Sequence, residues 1–151
     1  MQRVDGLPLV DFCKKRVRTV KESGGSNSSP RVGPALEASL VRLFDQLAAL
    51  RVTPNDNNPD NFLIDSKTQK VWRIDFGAAK QLTGSSAALN VWDPMNVKQL
   101  LRNDVIPVFP GFVTEVYRRV GEDGVPPHLR LFRDHCLGLA QNSLSGQPYF
   151  T

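Results

Sequence analysis

The chain has 151 residues, of which 40% are hydrophobic and 23% charged, and it carries a net charge of +4 at pH 7. This composition is typical of a globular protein, and the length favours one domain over residues 1–151. The basic residues form no dense patch interleaved with aromatics, so the sequence carries no strong nucleic-acid signal. No apolar run approaches the length of a transmembrane segment, and we predict none.

The first part of the chain combines a basic segment with a linker-like one. Residues 14–18 carry four basic side chains, a pattern typical of the solvated face of a helix. Residues 22–34 are rich in Gly and Ser, and we predict a flexible loop there. No strand precedes this loop, so we do not expect its backbone to bind phosphate groups.

A long amphipathic helix is predicted from Pro34 to Leu50. Its leucines recur at helical spacing and are expected to form one core-facing stripe. The stripe consists of Leu36, Leu40, Leu43, Leu47 and Leu50.

A short β-hairpin is predicted next. Two apolar runs, 62–64 and 71–74, flank a polar stretch at 65–70. Asn61 opens the first strand and Asp75 follows the second. Because the strands of a hairpin are antiparallel, we expect these two residues near the same edge.

The rest of the chain is predicted to be helical. Asp93 and Pro94 have the pattern of a helix cap and first turn. Prolines at 107 and 110 interrupt the chain before another apolar helix, which Gly121 is expected to end. A last helix is predicted to begin after Pro126 and Pro127. The predicted fold class is therefore mainly α with a small β-hairpin.

The cysteines and histidines do not have the spacing of a metal site or a disulfide framework. Cys13 and Cys136 stand alone and are expected to be free thiols, which favours the cytoplasm or another reducing compartment. His128 and His135 are predicted on one helix, where two histidines are too few for a zinc site.

The segments 56–64 and 71–77 resemble the catalytic loop and the Asp-Phe-Gly loop of the protein-kinase-like superfamily. The closest similarity is to UbiB-type atypical kinases or casein-kinase-like proteins. Transfer of a phosphoryl group from ATP needs a metal held against the phosphates and a carboxylate beside the acceptor. The resemblance implies that Asp56 is the catalytic base and that Asn61 and Asp75 bind magnesium. It also places Asn58, together with Asn61 and Asp75, at the nucleotide.

The resemblance further implies that the chain is a kinase carboxy-terminal lobe that lacks the amino-terminal lobe. Residues 1–12 resemble the hinge between the two lobes, and no Gly-rich loop or strand lysine precedes them. We expect a longer chain or a partner protein to supply that lobe. The cofactors implied are ATP and magnesium.

The sequence also departs from the kinase pattern. Pro54 stands where most kinases have a histidine, Asn58 replaces the catalytic-loop lysine, and no Ala-Pro-Glu motif follows the Asp-Phe-Gly triplet. Two functions therefore stay open at this point. One is a magnesium-dependent phosphotransferase acting on a hydroxyl acceptor, whose identity the sequence does not define. The other is a degenerate pseudokinase that binds a nucleotide or a protein as a regulatory module.

Overall fold

The computed structural model describes residues 6–22, 30–50, 52–53, 59–73, 80–81 and 91–145. Within these ranges the protein is mainly helical with a small antiparallel sheet, as the sequence predicted. The α-helices of this part are α1 (Leu9–Glu22), α2 (Pro34–Ala49), α3 (Pro94–Val97), α4 (Pro110–Val120) and α5 (Arg130–Ser145). Short 3-10 turns span Pro59–Asn61, Lys98–Leu100, Glu122–Gly124 and Pro127–Leu129.

The strands are β1 (Leu7–Pro8), β2 (Val52–Thr53), β3 (Phe62–Asp65), β4 (Lys70–Arg73) and β5 (Lys80–Gln81). The main sheet has the order β1-β3-β4, and β2 pairs with β5 separately. The predicted hairpin is confirmed as β3 and β4, in a register that pairs Phe62 with Arg73. Strand β1 was not predicted. It lies near the start of the chain and pairs antiparallel with β3, from Leu7 opposite Ile64 to Pro8 opposite Leu63.

Helix α2 confirms the predicted amphipathic helix, with one correction at its end. Leu36, Leu40 and Leu47 are buried, and Leu43 is half-buried against the core. Leu50 is 65% exposed because the helix ends at Ala49, one residue short of the prediction. The buried face of α2 also includes Phe44, which is not part of the predicted leucine stripe.

Phe44 lies at the centre of an aromatic cluster that joins α2 to the hairpin and to α4. Its ring centroid is 6.1 Å from that of Phe62, 5.3 Å from that of Trp92 and 5.0 Å from that of Phe112. All four rings are at most 2% exposed. Burial of such large rings, with tilted or edge-on pairs among them, makes this cluster a major contributor to stability.

The helix boundaries in the last third of the chain follow local signals. The Asp93 carboxylate accepts a hydrogen bond of 2.9 Å from the backbone N–H of Met95, which confirms the predicted cap of α3. Gly121 ends α4 with a φ of 73°, a left-handed conformation that glycine adopts without strain.

The start of the last helix was predicted too early. Pro127–Leu129 form a 3-10 turn and α5 begins at Arg130, so His128 and His135 are not on one helix. His128 is exposed in the turn, whereas a ring nitrogen of His135 lies 2.9 Å from the Asn103 side-chain oxygen. The two cysteines are buried free thiols, as expected.

Helix α1 presents most of its basic residues to solvent, as predicted for residues 14–18. Lys14, Lys15 and Arg18 are exposed. Arg16 differs because its guanidinium is partly buried and donates hydrogen bonds to the backbone oxygens of Pro30 (2.6 Å) and Arg31 (2.9 Å). None of the helices in the described ranges is long and apolar enough to cross a membrane.

Candidate functional site

Of the four site residues that the sequence predicts, Asn61 lies in the described part of the chain. Asp56, Asn58 and Asp75 lie outside the described residues, so their assembly with Asn61 stays a prediction. Asn61 is the last residue of the Pro59–Asn61 turn and immediately precedes β3.

Asn61 is held between two buried anchors. Pro59 is buried at the start of the turn, which packs against α1 and β1. Phe62 follows Asn61 and is fully buried in the aromatic cluster. Because its neighbours on both sides are fixed by packing, the half-buried Asn61 has a defined position at the entrance to the hairpin.

Arg73 faces Phe62 across the hairpin and is the charged residue that the sequence prediction overlooked. It is only 8% exposed, and its guanidinium carbon lies 5.0 Å from the centroid of the Phe62 ring. This distance is within the range of a cation–π contact. Its burial could have been predicted from strand alternation, since Val71 is buried and a residue two positions later in a strand faces the same side.

The pairing of Phe62 with Arg73 also defines the geometry of the candidate site. The chain enters the hairpin from Asn61 at the same end at which it leaves β4 after Arg73. Asp75 follows Arg73 by two residues in the sequence. The predicted convergence of Asn61 and Asp75 is therefore compatible with the hairpin register.

The opposite end of the hairpin is closed by local hydrogen bonds. The Asp65 carboxylate accepts from the backbone N–H of Lys67 at 3.0 Å and of Thr68 at 3.3 Å. A hydrogen bond from the Thr68 side chain is the main reason that the pKa of Asp65 lies below its ordinary value. The hairpin is also fixed to α2, because the Ser39 hydroxyl accepts from the backbone N–H of Val71 at 2.9 Å.

A buried carboxylate joins α2 to α4. Glu37 is 7% exposed; one of its oxygens accepts from the backbone N–H of Gly111 at 2.8 Å, and the other lies 3.2 Å from Arg31 Nη2. Burial raises the pKa of Glu37, while the Gly111 hydrogen bond and the Arg31 charge act in the opposite direction. Phe109 is the N-cap residue of α4, and its side chain makes no capping hydrogen bond. The Glu37 carboxylate from α2 caps the helix instead. A Cβ at position 111 would overlap the Glu37 carboxylate, which would have to move for a larger residue to fit there.

A second charged cluster on α4 centres on Arg119. Its guanidinium donates to both oxygens of Asp45, in one case at 3.0 Å, and to Glu115 Oε1 at 2.7 Å. It also lies 4.5 Å from the centroid of the Trp92 ring. A hydrogen bond from Arg118 is the main cause that lowers the pKa of Glu115 to about 2. These contacts join α4 to α2 and do not include any predicted site residue.

The predicted magnesium site contains one described residue with a suitable donor atom. Magnesium binds oxygen ligands, and the side-chain amide of Asn61 offers one. Within the described ranges, no group of three or more His, Cys, Asp or Glu side chains is placed to hold a metal ion. Asn61 therefore fits the ion as one ligand, and the predicted carboxylate ligand, Asp75, lies outside the described residues.

No family model matches the chain, and no curated protein sequence is significantly similar to it.

Proposed function

We propose that this chain is the carboxy-terminal lobe of a kinase-like, magnesium-dependent phosphotransferase. The observation that carries the proposal is the position of Asn61 at the entrance of the β3–β4 hairpin, with Arg73 opposite Phe62 at the same end. A hairpin that brings the segment before β3 and the segment after β4 to one end supports a shared metal site for Asn61 and Asp75. The buried α2 immediately before this segment supports the same interpretation.

Each site residue has a separate role in this proposal. Asp56 orients the acceptor hydroxyl and takes its proton, while Asn61 and Asp75 hold the metal and Asn58 contacts the nucleotide. Bound magnesium and ATP would supply the transferable phosphoryl group and neutralise its charge. Phe62 and Arg73 set the spacing of the chain segments that carry Asn61 and Asp75.

The alternative is a pseudokinase that binds nucleotide or protein without catalysing transfer. The replacement of the catalytic-loop lysine by Asn58 and the presence of Pro54 favour this alternative. The acceptor of the phosphoryl group, which distinguishes subclasses of kinase, is not defined by the fold.

The first test is a titration of residues 1–151 with magnesium and ATP, followed by NMR and calorimetry. We expect weak, magnesium-dependent binding that shifts the side-chain amide resonances of Asn61, since an open site holds a divalent ion less tightly than a dry one. Asp75→Asn should abolish the response. Asp65→Asn is the matched control: it removes one carboxylate from the other end of the same hairpin and should leave binding unchanged.

If wild-type protein shows no magnesium-dependent response, or if the two Asp→Asn variants behave alike, the proposed site is wrong. Catalysis is tested after a small lobe has been supplied in cis or by a partner. There, Asp56→Ala should reduce phosphoryl transfer far more than ATP binding, whereas Asp75→Ala should reduce both. Nucleotide binding without transfer under these conditions would establish the pseudokinase alternative.

A further inference from the structure

A surface groove lies between α2 and β4 and follows the whole length of that strand. Its volume is about 410 Å³. One wall is formed by α2 and the other by the whole of β4. The lining residues are Ser39, Arg42, Leu43, Gln46, Lys70, Val71, Trp72 and Arg73.

The charge of this groove is one-sided. Three of its lining residues are basic and none is acidic. Arg42 and Lys70 are both exposed, and neither forms an ion pair within the described part of the chain. By contrast, a neighbouring groove between α2 and α4 includes Glu37, Asp45 and Glu115 in its lining. Arg42 lines both grooves, but it is outnumbered by acidic residues in the neighbouring one. The groove beside β4 is therefore the one whose lining suits an anionic ligand.

The groove also offers an apolar surface beside its charges. Trp72 is half-buried, with the Lys70 ammonium 5.8 Å from the centroid of its ring, and Leu43 is half-buried on the opposite wall. An indole next to a cation suits a ligand that carries both a carboxylate and an apolar side chain.

The length of the walls indicates what size of ligand fits. From Ser39 to Gln46 the helix rises about 10 Å at 1.5 Å per residue. The four residues of β4 span a similar length, about 10 Å, at 3.4 Å per residue. Three to four residues of an extended peptide cover that distance.

We propose that this groove is a docking site for an acidic peptide segment of a partner protein. Carboxylates of the segment bind Arg42 and Lys70, and an apolar side chain between them packs on Trp72 and Leu43. A nucleic acid fits less well, because two exposed cations neutralise few phosphates of an extended backbone. The lining of the groove contains none of the predicted nucleotide-site residues, so the docking proposal does not depend on the phosphotransferase proposal.

The test uses a fluorescein-labelled decapeptide with four Asp or Glu and two Leu residues, measured by fluorescence anisotropy. Its counterpart with Asn and Gln at the acidic positions serves as the ligand control. We compare wild-type protein with Arg42→Glu/Lys70→Glu and with Lys14→Glu/Lys15→Glu. Both double variants reverse two exposed basic residues, so they change the net charge equally, but Lys14 and Lys15 lie on α1 outside the groove.

We expect the groove variant to weaken binding of the acidic peptide at least about tenfold, because two charge-assisted contacts are lost. The α1 variant should change it less than about twofold. Trp72→Phe should abolish any change of tryptophan fluorescence on binding while circular dichroism shows an intact fold.

Three outcomes would overturn the docking site. These are no binding by wild-type protein, equal losses in the two double variants, and displacement of the peptide by single-stranded RNA at a lower concentration than by unlabelled peptide. The variant Asp75→Asn separates this proposal from the phosphotransferase proposal. It should bind the peptide as the wild type does, whether or not the protein binds nucleotide.

Discussion

The hairpin region (α2, β3 and β4) and the C-terminal helices (α4 and α5) use charged residues in different ways. Among the described residues, the polar or charged side chains that are buried are Glu37, Ser39 and Arg73, and all three belong to the hairpin region. In the C-terminal helices, charged residues form ion pairs at the surface, such as Arg133 with Glu122, whose side chain is 78% exposed.

The difference indicates where the fold depends on exact geometry. A buried charge is stable only when specific partners compensate for its lost hydration, whereas a surface ion pair tolerates small movements. Glu37 fixes α2 against α4, and Arg73 is packed against the residue that follows Asn61. The buried polar contacts thus concentrate in α2 and the hairpin, and one of them lies next to Asn61.

The largest expected effect on stability comes from removing the Phe44 ring at the centre of the aromatic cluster. Phe44→Ala should lower the free energy of unfolding by about 4 kcal/mol, because it leaves a cavity among three other rings. Phe132→Ala, at a half-buried ring on α5, is the control and should cost less than half as much. Urea unfolding measures both. Equal losses of unfolding free energy would show that the aromatic cluster contributes no more to stability than the packing of α5 does.

A smaller effect is expected from the buried carboxylate. Glu37→Ala should destabilise the protein by about 3 kcal/mol, since it removes the Arg31–Glu37 ion pair and leaves α4 without its cap. Glu122→Ala, in an exposed pair, should change stability by less than about 1 kcal/mol.

The contact between Glu37 and Gly111 can be isolated in a double-mutant cycle. Gly111→Ala should be clearly destabilising in the wild type, where the new methyl group collides with Glu37, and less so in Glu37→Ala. If the losses of stability in the two single variants added up in the double variant, the contact between Glu37 and Gly111 would be contradicted.

The smallest effect is on the pH dependence of stability, which should have opposite signs in the two regions. The pKa of Glu115 is lowered from 4.5 to about 2, so the stability of wild type relative to Glu115→Gln should rise between pH 2 and pH 4.5. The pKa of Glu37 is raised above 4.5 by burial, so the folded state binds this proton more tightly than the unfolded state. Stability relative to Glu37→Gln should therefore fall as pH increases above 4.5. Urea unfolding across this pH series would reject either assignment if its slope were reversed.

Local signals in the sequence were sufficient to predict α2, the β3–β4 hairpin, the cap of α3 and the end of α4. Each depends on residues close together in the chain, such as Asp93 beside Met95 or Gly121 at the end of α4. The position of Asn61 before β3 was predicted in the same way. The motif that contains Asp56, Asn58 and Asp75 is likewise a property of the sequence, and its assembly stays a prediction.

Other features were decided only by the tertiary structure. Strand β1 is two residues long and exists because it pairs with β3, which lies more than fifty positions later in the sequence. Glu37 is buried because Arg31 and the start of α4 meet it there. The basic groove forms because α2 packs beside β4. Burial and charge compensation depend on contacts between distant segments, and such contacts leave no periodic pattern in the sequence.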